Sequence, residues 1–175
     1  MRYLLYYPMI HFSSVSELER AISVGFARGA QLPQEEVSLD EVMTVIDGEW
    51  DIFLEFLSEQ SDFDRVYIEG NPTAAIIKSI NPDSGKGRCY RYVADHVPIS
   101  EPIESTLLYG LGLVTQRFSK VFRLVNNLRE SDVCRHIDRT LQDGERGLLL
   151  YGGSHEKTLV PKLEKLELEI VVYDS

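Results

Sequence analysis

Four short runs of apolar residues constrain this chain more than any other feature. They are "YLLYY" (3–7), "RVYIEG" (65–70), "GLLLYGG" (147–153) and "EIVVYDS" (169–175). A strand with one face in water alternates apolar and polar residues. Runs that stay apolar need cover on both faces, which is the environment of strands in a parallel sheet. A fifth run, "CYRYVAD" (89–95), alternates better and is expected nearer a sheet edge.

The stretches between these runs carry helix signals. Ser16 and Glu19 form a capping box before Ala21, Ile22 and Phe26, and Ser38 and Glu41 repeat it before Val42, Val45 and Ile46; in such boxes two side chains satisfy otherwise orphaned N–H groups. "EWDIFLEFLSEQ" sets Trp50, Phe53, Phe56 and Leu57 on one stripe. Asn71-Pro72 is an N-cap followed by proline at the first helical position. Val133, Ile137 and Leu141 keep helical spacing up to Gly144, a C-terminal cap signal. Leu159, Leu163 and Leu166 mark a last helix, in which Pro161 is tolerable only near the start. The expected fold is α/β: a mainly parallel sheet of about five strands with helices on both faces. At 175 residues, 1–175 suits a single domain, long enough to bury roughly 70% of its unfolded surface.

Charge narrows the partners. With 28 acidic and 18 basic residues the chain carries −10, which repels nucleic-acid backbones and anionic membrane surfaces. "KGRCYRY" gathers basic residues but reads as a solvated strand edge. No apolar run approaches the ~20 residues of a membrane span, and "MRYLLYYPM" has neither the apolar core nor the cleavage pattern of a leader. A cytoplasmic location is therefore the expectation. Cys89 and Cys134 make no disulfide framework or metal pair and read as buried thiols.

In open parallel sheets, ligands bind outside the carboxyl ends of the strands. Polar residues recur at those ends: His11 after the first run, Glu69 closing the second, Asp95 and His96 after "YRYVA", and His155 after the run ending at Tyr151. Two imidazoles and a carboxylate can bind zinc, manganese or iron and activate water. Without metal they can act as general acid and base. Gly70, Gly152 and Gly153 stand where strands turn and where backbone approaches a ligand. His96 and His136 read as incidental, and Tyr6, Tyr7 and Tyr151 as core residues able to wall a cleft.

Taken in order, "PMIH" (8–11), "IEG" (68–70), Arg129 at the start of a helical stretch and "GGSH" (152–155) resemble the motifs of the TraB/Tiki-type superfamily, related to erythromycin-esterase-like and ChaN-like proteins. The chain departs from that pattern in three places. Pro8 stands for the first glycine, Glu130 follows the arginine, and Asp95-His96 stands for an Asp-Arg pair. The resemblance implies His11, Glu69 and His155 as functional core and ligands of a divalent metal (manganese, cobalt or zinc), with Arg129 stabilising an oxyanion or orienting Glu69. The implied activity is hydrolysis of peptide or ester bonds in a peptide or small-molecule substrate. The alternatives are a non-catalytic module for a small haem-like or anionic ligand, and a scaffold subunit with decayed motifs. The short chain also fits a homo-oligomer whose second subunit completes the cleft.

Overall fold

The computed structural model describes residues 1–9, 39–60, 62–70, 80–97, 99–103, 105–115 and 118–173. Among the described residues five strands, β1 (Arg2–Met9), β2 (Arg65–Ile68), β3 (Ile99–Pro102), β4 (Arg146–Gly152) and β5 (Leu168–Val172), form one sheet in the order β3-β2-β4-β1-β5. Every neighbouring pair is parallel. Three of the four continuous apolar runs supply the inner strands; the fourth, expected to be covered on both faces, is instead the edge strand β5, where Glu169 and Val171 are exposed. Leu4 and Leu149 are fully buried and Leu5 and Leu150 nearly so, so the inner runs are covered on both faces.

Alternate residues of these strands feed two cores. On one face Leu5, Tyr7, Met9, Val66, Ile68, Leu148 and Leu150 pack against α1 (Leu39–Glu59) and α2 (Gly85–His96). Trp50, Phe53 and Leu57 of α1, on the expected stripe, are 3%, 0% and 1% exposed. On the other face Leu4, Tyr6, Tyr67, Leu149 and Tyr151 meet Val133, Ile137 and Leu141 at the far end of α4 (Ser119–Thr140), and Leu159 and Leu163 of α5 (Glu156–Leu163). A further helix, α3 (Thr106–Thr115), packs on α4. Cys89 and Cys134 are buried free thiols. Among the described residues no helix is long and apolar enough to cross a membrane.

One expected strand is a helix. Residues 89–95 lie inside α2, which Ser84 caps by accepting the Gly87 N–H at 3.1 Å. Its buried residues Cys89, Tyr90 and Val93 follow helical spacing, which seven residues of approximate alternation had hidden. The strand that pairs with β2 is instead "ISEP", in register from Arg65↔Ile99 to Ile68↔Pro102. Asp95 and His96 therefore do not end a strand. They are exposed in the last turn of α2, where the His96 ring stacks on Tyr92 at 4.1 Å. Because Ile99 sits beside the start of β2, Asp95 lies toward the edge of the sheet opposite Glu69.

Pro161 is also placed differently, six residues into α5, where its ring is exposed. His11, Ser16, Glu19, Ser38 and the Asn71-Pro72 pair lie outside the described residues.

Candidate functional site

At the carboxyl edge, β2 passes into a turn at Glu69 and Gly70. The Glu69 N–H continues the ladder to the Leu150 carbonyl at 2.9 Å. Gly70 then turns with φ +80°, a left-handed conformation that glycine adopts without a Cβ penalty, and the Tyr109 ring lies 3.4 Å from where a Cβ would stand. Parallel pairing of β2 with β4 places Gly152 beside the Glu69 side chain. Glu69 Oε2 accepts the Gly152 N–H at 2.8 Å, and Oε1 accepts from Arg129 Nη2 at 2.7 Å. Both charged side chains are buried, at 9% and 7% exposure. Arg129, expected at the start of a helical stretch, lies instead in the middle of α4, from which it reaches Glu69 and lies against the rings of Tyr109 and Tyr151, at 5.3 and 5.9 Å. A buried pair of this kind persists only when its desolvation is offset by close charge contact and hydrogen bonds, and here both are present.

The next residue of α4 builds a second group. Glu130, 3% exposed, accepts at Oε1 from His155 Nδ1 (2.9 Å) and Thr158 Oγ1 (2.7 Å), and at Oε2 from Lys162 Nζ (2.6 Å). Burial works to raise the Glu130 carboxyl, but the hydrogen bonds from His155, Lys162 and Thr158 outweigh it and bring it down to about 2. An ionised carboxylate can only accept, so Nδ1 of His155 carries a proton. In the neutral imidazole the lone pair then lies on Nε2. Among the described residues nothing hydrogen-bonds that Nε2. The His155 ring stands edge-on to Tyr151 at 4.9 Å. Tyr6 closes the layer by donating to the Gly152 carbonyl at 3.1 Å; burial, reinforced by Glu156, Glu69 and Glu130, pushes its phenol pKa upward.

Of the residues singled out from sequence, Glu69, Arg129, Gly152 and His155 thus stand in one polar layer. Gly153 packs at the end of β1, where a Cβ would lie 3.5 Å from Pro8. His11, two residues after β1 in the sequence, lies outside the described residues. Asp95 is on the opposite side. His136 is half-buried on α4, edge-on to Tyr67 at 6.3 Å. Glu130, Thr158 and Lys162 were not anticipated. The spacing of His155, Thr158 and Lys162 at i, i+3 and i+7 was the available signal, since it stacks them along one side of a helix.

A divalent metal fits this set only in part. His155, with Nδ1 held by a carboxylate, has the geometry of a metal ligand supported from behind. Glu69 does not fit, because its charge is already balanced by the Arg129 guanidinium, whose own charge opposes a cation at the same carboxylate. Among the described residues no three His, Cys, Asp or Glu side chains are grouped to hold a metal. Beside Glu69, toward α1 and α2, is a cavity of about 50 Å³ lined by Met9, Trp50, Lys86, Tyr90 and Leu150 among others. The chain matches no protein-family model, no curated protein and no solved structure.

Proposed function

We propose that this edge of the sheet hydrolyses ester or peptide bonds by general acid–base chemistry, with His155 as the base. The resemblance to TraB/Tiki-type proteins adds the expectation of a hydrolase. The observation that carries the reading is the His155–Glu130 contact: an ionised, buried carboxylate sets one tautomer and leaves Nε2 to accept a proton. In the proposed step His155 Nε2 takes a proton from water as its oxygen adds to the substrate carbonyl. The imidazolium then returns that proton to the leaving alkoxide or amine as the C–O or C–N bond breaks. Glu130 stabilises the transient imidazolium, as a buried carboxylate does behind a catalytic histidine. Arg129 acts as a positioning residue that orients Glu69, which in turn holds the backbone at Gly152.

The test is turnover of p-nitrophenyl esters and a mixed peptide substrate, without metal and with added manganese, cobalt or zinc. His155→Asn should remove activity. Glu130→Gln should lower kcat by about 100-fold or more while changing KM little, since general-base catalysis contributes 10²–10⁴. Turnover that needs metal and survives Glu130→Gln would move the chemistry to a metal centre. No turnover under any condition, or turnover unaffected by His155→Asn, would defeat the proposal.

A further inference from the structure

We infer that the cavity beside Glu69 is a binding site for a small carboxylate, anchored by the Lys86 ammonium. Lys86 is the second residue of α2 and sits between Gly85 and Gly87. Gly85 permits the placement: a Cβ there would lie 2.7 Å from the Asp47 carbonyl and from Trp50 Cβ. The start of α2 can therefore close onto α1 and lay Lys86 against two rings, with Nζ 5.9 Å from the Trp50 centroid and 5.4 Å from Tyr90. Lys86 is half-buried, and among the described residues its Nζ has neither an ion pair nor a hydrogen bond.

Among the described residues the one acid lining the cavity, Glu69, is already paired with Arg129 and bonded by the Gly152 N–H. Lys86 is therefore a surplus cation. The helix end itself is already met by an anion, since Asp47 Oδ1 accepts the Gly85 N–H at 3.1 Å, so the cation on offer is the Lys86 ammonium, inside a chain whose overall charge is −10. Burial lowers the lysine's pKa while Glu69 works against that shift, so a partly dry ammonium has no partner that settles it. Ring faces stabilise the cation but leave its N–H donors unmet.

Size and wall chemistry narrow the ligand. About 50 Å³ is space for roughly three or four waters, hence for a carboxylate and a carbon or two. Met9, Trp50 and Leu150 would meet the carbon end. A phosphate dianion needs several cationic or N–H donors to offset its dehydration, and among the described lining residues Lys86 is the one cation, with the Glu69 carboxylate beside it and Tyr90 and Tyr109 as the side chains bearing hydroxyls. The inference concerns binding, so it holds whether or not the neighbouring edge hydrolyses anything.

Trp50 is the sole tryptophan, so its fluorescence reports on the cavity. The full chain is titrated with propionate at fixed ionic strength, beside 1-propanol and inorganic phosphate. Propionate should give a saturable change that weakens by about 10- to 100-fold in Lys86→Met, the range expected for losing a hydrogen bond to a charged group. Propionate should also protect Lys86 from trinitrobenzenesulfonate, mapped by peptide mass, while exposed Lys120 stays reactive. This second readout uses the unaltered chain and decides the matter should Lys86→Met not fold. The inference is overturned by an unsaturable response, an equal response to 1-propanol, tighter binding of phosphate, affinity unchanged in Lys86→Met, or no protection of Lys86.

Discussion

Replacing Glu130 by glutamine removes one ionisable group from the centre of a four-member network while keeping its shape, and pH should reveal what that charge contributes. Glu130 is brought from an ordinary 4.5 to about 2. At 1.36 kcal/mol for each tenfold change in proton affinity, a drop of about 2.5 corresponds to about 3 kcal/mol. The sign follows from a depressed folded-state value: the stabilisation is present above about 4.5, where the unfolded carboxyl is also ionised, and is lost as pH falls toward 2. Urea unfolding of wild type and Glu130→Gln at pH 6, 4 and 2.5 measures this. Near pH 6 the variant should be less stable by about 3 kcal/mol, which at a slope of about 2 kcal/mol/M moves the midpoint by about 1.5 M. That gap should narrow steadily below pH 4.5. A gap of equal size at pH 6 and pH 2.5 would show that the loss comes from packing or a neutral hydrogen bond, and would refute the claim that an ionised Glu130 holds the His155 tautomer.

Two further perturbations probe the same layer. Arg129→Met should destabilise by about 3–5 kcal/mol, because it leaves Glu69 buried without its cation; Arg129→Met with Glu69→Gln should cost less than the sum of the single changes, and additive losses in urea unfolding would deny the coupling. Gly70→Ala should cost about 1–2 kcal/mol in thermal or urea unfolding, since alanine must adopt φ +80° beneath the Tyr109 ring, whereas an unchanged midpoint would place the turn in another conformation.

What could be read along the chain follows from burial. Leu4, Leu5, Leu148, Leu149 and Leu150 announce strands because inner strands of a parallel sheet meet a core on each face. Among the described residues "ISEP" is an edge strand with a neighbour on one side, so it need not be apolar and left no such mark. The 89–95 stretch misled because Tyr90, Tyr92 and Ala94 suggest alternation, while the cap at Ser84 and the burial of Cys89, Tyr90 and Val93 belong to a helix.

Glu69, Gly152 and His155 could be named beforehand, since polar groups and glycines at strand ends have few structural reasons to be there, whereas Arg129 was named only through the resemblance of the motifs around it. Their partners could not. Glu130 reaches His155 across 25 residues only because α4 packs beside α5, and Glu69 meets the Gly152 N–H only because β2 and β4, far apart in the chain, are neighbours in the sheet. Sequence by itself determined the three inner strands and the residues at their ends, while the equally apolar run of β5 proved to be a half-exposed edge. Tertiary structure decided which charge faces which, because a hydrogen bond depends on ångström-scale placement that hydrophobic periodicity does not encode.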